Sequence, residues 1–84
     1  MSNQQYIQDF LDDLSFSKRY SQHTITSYKN DLNKFNQYLC SVYDYLLFEK
    51  VELFHVRSYL VYLLNLNLEK TTVARNISSV KSFY

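Results

Sequence analysis

Eighty-four residues make one domain at most, and a domain of that size buries only about 60–65% of the surface of its unfolded chain. Hydrophobic residues are 46% of the sequence, which excludes a disordered chain. Gly and Pro are both absent, which disfavours a β-rich fold of tight turns and favours an all-helical one, while a net charge of only +1 excludes a uniformly basic surface.

The first predicted helix runs from Asn3 to Phe16. Tyr6, Ile7, Phe10, Leu11 and Leu14 recur at helical period, and Asp9, Asp12 and Asp13 lie outside that stripe. "SFSKRYS" is a polar connector. The second helix starts after Ser21, whose hydroxyl is placed to accept a free N–H of the first turn, and ends near Cys40 or Ser41. Its buried stripe is Ile25, Tyr28, Leu32, Phe35 and Leu39. Residues 42–51 read mostly as a loop, with Leu46 or Leu47 tucked into the core. The third helix spans Glu52 to Leu66, with Phe54, Tyr59, Leu60, Leu63 and Leu64 as a wide apolar face and Glu52 at the end where the helix dipole favours an acid. His55 is expected to be partly exposed. The fourth begins near Thr71 or Thr72, buries Val73, Ile77, Val80 and Tyr84, and carries Arg75, Asn76, Ser78, Ser79 and Ser82 on other faces. It reaches "SFY" without a stop signal, so the chain is expected to continue in a longer protein.

Helices two and four share a design. Each opens with hydroxyl residues beside a His or Lys, "SQHT" and "EKTT", and then shows a polar face poor in acids. Short hydroxyls and amides are weak helix formers, so on an exposed face they cost a few tenths of a kcal/mol each. A solvated face ordinarily carries Glu–Lys pairs at i, i+4 instead. Double-stranded DNA supplies a reason for the choice. Its phosphates accept bonds from Ser, Thr, Asn, Lys and helix N-termini, and its major groove admits a helix whose Arg, Asn or Gln read base edges. The charge is distributed to match: residues 17–41 sum to +3 and 69–84 to +2, against −3 for 1–16 and −1 for 42–68. The two faces are expected to lie side by side as one cationic surface, with Asp31 and Glu69 pointing away.

No catalytic constellation is present. His23 and His55 lack Cys or carboxylate neighbours at ligand spacing, so no metal or other cofactor is expected. Cys40 is the only cysteine, and it has no activating partner in the sequence. The lone thiol, the lack of a signal peptide and the lack of a membrane-spanning run point to the cytoplasm.

The order Ser21, Thr24, Tyr28, Asp31, Leu32, Phe35, then Tyr59, Leu60, Leu63, then Thr72, Arg75, Ile77, Ser78, Val80, Lys81, Phe83 and Tyr84 resembles the N-terminal core-binding, SAM-like domain of tyrosine recombinases and phage-type integrases, nearest the Xer-type enzymes. The resemblance implies an all-α, four-helix orthogonal bundle of two helical hairpins over residues 1–84. It places DNA contacts on His23, Thr24, Thr26, Ser27 and Asn30 of the second helix and on Lys70, Thr71, Arg75 and Ser79 of the fourth. It also implies other recombinase subunits as partners and a parent acting in DNA integration or chromosome dimer resolution. The family's catalytic Arg, Lys, His and Tyr belong to a C-terminal domain absent from this chain, so none of the nine tyrosines is expected to be a nucleophile. Family members often carry Gly near Tyr20 and Asn67, so these turns are expected to be shaped differently here. The alternative is a helical protein-interaction module that does not bind nucleic acid, with a groove around Tyr43, Tyr45 and Phe48.

Overall fold

The computed structural model describes residues 2–84. Among these residues four helices follow one another: α1 (Asn3–Phe16), α2 (Gln22–Val42), α3 (Leu53–Asn65) and α4 (Lys70–Phe83), with one 3-10 turn at Phe48–Lys50 between α2 and α3. Among the described residues there is no strand, so the all-α expectation holds. The boundaries follow the caps. Ser2 Oγ accepts the Gln5 N–H at 3.1 Å, and Ser21 Oγ accepts the Thr24 N–H at 3.2 Å, which starts α1 and α2 where their hydroxyls stand. Glu52 and Glu69 are the extended residues before α3 and α4.

α1 packs on α2 and α3 on α4, which makes two hairpins, and α2 lies against α4 to join them. Leu14, Leu32, Phe35, Leu39, Tyr59, Leu63 and Val80 are fully enclosed between these elements. Each such side chain contributes about 1.5–3 kcal/mol by leaving water. Phe10 ties three helices together: its ring meets Phe83 edge-on at 5.3 Å and Tyr28 edge-on at 5.7 Å.

The segment between α2 and α3 is a loop, as expected, but its anchor is Phe48. This ring is 2% exposed and stacks on Phe35 at 6.1 Å, whereas Leu46 is only partly buried and Leu47 faces solvent. Asn3 holds the loop down. Its Oδ1 accepts the Phe48 N–H at 2.8 Å, and its Nδ2 donates to the Leu46 carbonyl at 3.0 Å and to Asn36 Oδ1 at 2.8 Å. Phe48, expected beside Tyr43 and Tyr45 in a groove, instead lies in the core and lines a shallow cleft with Tyr6, Glu49, Phe83 and Tyr84.

His55 is buried, not partly exposed: its Nδ1 accepts the Glu52 N–H at 2.8 Å, so the imidazole closes the first turn of α3. The turns near Tyr20 and Asn67 keep a glycine-like backbone without glycine. Arg19 has φ 54° and Asn67 φ 59°, and Asp44 and Tyr45 after α2 have φ 52° and 61°. Asn and Asp tolerate this region, whereas for Arg19 and Tyr45 it costs about 1–2 kcal/mol each.

Candidate nucleic-acid interface

α2 and α4 meet through a buried carboxylate. Asp31, in the middle of α2, is 1% exposed. It accepts three bonds from α4: Arg75 Nη2 at 3.1 Å, Arg75 Nε at 3.3 Å and Ser79 Oγ at 2.7 Å. Arg75 and Ser79 are one helical turn apart, which is why both reach the same group. The Arg75 side chain is still 54% exposed, with one edge on Asp31 and the rest in solvent.

A shallow cleft of about 250 Å³ opens over this pair. α2 contributes His23, Thr24, Ser27 and Tyr28 to its wall, and α4 contributes Ser78 and Ser79 beside Arg75. Ser27 and Arg75 therefore lie on one side of the molecule and share one concavity.

Of the nine predicted contact residues, His23, Thr24, Ser27, Arg75 and Ser79 come together here. Asn30 and Thr71 are exposed and lie outside the cleft. Asn30 is on the flank of α2 that carries Ser27 and His23, three and seven residues before it, and Thr71 is one turn before Arg75. Thr26 and Lys70 are exposed but point elsewhere. Each precedes its helix's cleft residue (Asp31 or Arg75) by five positions, about 140° round the axis. Ser79 is a correction: expected on an outer face, it is 6% exposed and its hydroxyl is committed to Asp31. Asn76, also expected outside, is fully buried, and its Nδ2 donates to the Thr72 carbonyl at 2.9 Å.

Three cleft residues are not among the contacts expected from the sequence: Tyr28, Asp31 and Ser78. Asp31 does not point away to solvent as expected. The signal was available in α2, because residue 31 falls between Tyr28 and Leu32 and four before Phe35, within the apolar stripe. An acid there faces inward and needs a partner. The ion pair also changes the electrostatics expected of this surface, because Asp31 compensates the guanidinium at the centre of the cleft. The same carboxylate reaches α3: burial and the charge of Asp31 push the enclosed phenol of Tyr59 well above its ordinary pKa. Among the described residues no group of three or more His, Cys, Asp or Glu is placed to hold a metal ion, and no helix is long and apolar enough to cross a membrane.

Comparison with known proteins gives the arrangement a family. The chain is 43% identical over 75 residues to tyrosine recombinase XerC of Listeria innocua, covering 89% of this chain and 25% of that protein. It is 40% identical over 80 residues to tyrosine recombinase XerC of Staphylococcus aureus strain USA300, covering 94% and 26%. With the XerC of Staphylococcus saprophyticus it shares 40% over 77 residues, covering 92% and 25%. It thus spans about a quarter of the length of the curated relatives it matches. No solved structure gives a significant match. The family model described as phage integrase, N-terminal SAM-like domain, matches residues 7–84, so the chain belongs to the family of N-terminal SAM-like domains of phage integrases.

Proposed function

We propose that this domain grips one side of a recombination half-site for a tyrosine recombinase, through the α2–α4 surface. Strand cleavage and rejoining belong to the catalytic domain of the parent enzyme, and none of the tyrosines here takes part in it. The partners on this reading are double-stranded DNA and other recombinase subunits, and the compartment is the cytoplasm, where such DNA lies. The parent serves DNA integration or chromosome dimer resolution.

The observation that carries the reading is the α2–α4 cleft itself. His23, Thr24 and Ser27 from one helix and Arg75 and Ser78 from the other present donors over one concavity. The relatives named tyrosine recombinase XerC support it. Phosphate contacts from Ser, Thr and Asn position such a surface, and an exposed guanidinium supplies a base contact. Apart from Asp31, which is already paired, no acid lines the cleft.

The test is fluorescence anisotropy of a labelled duplex titrated with the chain at low and moderate salt. Binding is expected to be weak, since a single small domain makes few phosphate contacts, and to fall with salt in proportion to their number. Arg75→Glu is expected to abolish it. A duplex bound equally well by wild type and Arg75→Glu contradicts the assignment.

A second reading, a helical protein-interaction module, is favoured by one observation. Leu53, Phe54, Val61 and Leu64 of α3 are each more than half exposed. On that reading the chain ignores DNA at any salt concentration and the partner covers α3.

A further inference from the structure

We propose that Arg75 reads a guanine edge rather than clamping a phosphate, and that Asp31 is the positioning residue that makes it do so. The inference rests on the DNA-binding reading above and adds what the cleft recognises.

The geometry of the pair carries it. A guanidinium has five N–H donors in a planar fork. Asp31 takes two of them along one side, from Nε at 3.3 Å and from Nη2 at 3.1 Å. The other three all lie on the terminal Nη atoms. Ser79 fixes the carboxylate in turn, from a position 6% exposed. Arg75 is therefore a long side chain whose plane is set by a buried, hydrogen-bonded group, and its end is left free in the cleft. This is how a planar donor pair is pre-oriented for a planar acceptor pair.

Charge points the same way. A phosphate contact draws its strength from an uncompensated cation and from counterion release. At Arg75 the cation is neutralised by its own neighbour, so a phosphate gains little there. A base edge is neutral and rewards direction more than charge. Two adjacent acceptors that match an end-on fork occur on one base in the major groove, guanine, through O6 and N7. Adenine shows an acceptor beside a donor, cytosine a donor, and thymine one acceptor beside a methyl group. His23, Thr24, Ser27 and Ser78 around the cleft carry donors suited to the adjoining backbone.

The experiment selects duplexes bound by the 84-residue chain from a pool randomised over 20 base pairs. A selected duplex and its scrambled counterpart are then compared by anisotropy across a salt series. Wild type, Arg75→Lys and Asp31→Asn are used, each checked for folding by thermal melting. The selected motif is expected to contain a fixed guanine, whose replacement weakens wild-type binding roughly 5- to 150-fold, the span of a good bidentate contact. Arg75→Lys keeps the charge and loses that preference. Asp31→Asn also loses it, yet binds the scrambled duplex more tightly, because an acid has gone and the guanidinium is free. A residue that merely stabilised the bundle would not move selectivity and non-specific affinity in opposite directions. Retained guanine preference in Asp31→Asn, or equal selectivity in wild type and Arg75→Lys, overturns the inference and leaves the DNA-binding reading standing. A chain that binds no duplex in the pool overturns both.

Discussion

Two surfaces of this small bundle are unlike ordinary solvated helix faces, and they differ in opposite ways. Over the α2–α4 cleft the exposed side chains are short and polar, and the one strong charge is held by a buried partner. On the outer face of α3, Leu53, Phe54, Val61 and Leu64 stand in solvent, and Arg57 is the only charged residue of the whole helix. The first surface gives up helix propensity and the second gives up the benefit of burying apolar groups. The difference separates what each can recognise. Oriented donors suit the acceptors of a duplex, and an apolar stripe suits another protein surface.

The comparison can be broken most forcefully at Arg75. Arg75→Glu puts a second carboxylate against the enclosed Asp31. It is expected to lose about 2–4 kcal/mol of stability in urea unfolding, discounted from a fully buried pair because Arg75 is half exposed. Ser79→Ala removes one of the three bonds to Asp31 and is expected to cost about 1–2 kcal/mol in the same measurement, with duplex binding reduced but present. Tyr45→Gly lies outside both surfaces and serves as the control with the opposite sign. Tyr45 sits at φ 61° with an exposed side chain, so glycine is expected to gain about 0.5–1 kcal/mol after its own entropy cost, with binding unchanged. The smallest effect belongs to α3. Phe54→Gln combined with Val61→Lys is expected to stay within about 0.5 kcal/mol of wild type and to leave duplex affinity untouched. A drop in duplex affinity there would merge the two surfaces.

Much of this architecture is legible in the sequence because helices advertise themselves locally. Ser21 marks the start of α2 through its own hydroxyl, and the stripes of α1 and α2 repeat at helical period over three turns or more. What was not legible depends on partners distant in sequence. Phe48 is no more apolar than Leu46 or Leu47, and it is chosen as the anchor because Asn3, 45 residues away, binds its N–H. His55 is enclosed because Tyr43 and Phe54 pack on its ring, at 4.7 and 3.9 Å. Six of the nine expected contacts, His23, Thr24, Ser27, Asn30, Thr71 and Arg75, lie on exposed or half-exposed faces in the cleft or within about one turn of it, and Ser79 lines the cleft from a buried position. Thr26 and Lys70 fall outside the cleft by helical phase, which a wheel drawn from Asp31 and Arg75 predicts once the pair is known. Polarity alone places Ser79 outward, although a hydroxyl four residues from an arginine is equally able to help bury a carboxylate.

Chemical-shift mapping of the isotope-labelled chain with duplex DNA at low salt tests the central claim most directly. The account predicts changes gathered on His23, Ser27, Arg75 and Ser78, with α3 from Phe54 to Leu64 silent. Changes confined to α3, or none anywhere on α2 and α4 at saturating duplex, contradict it.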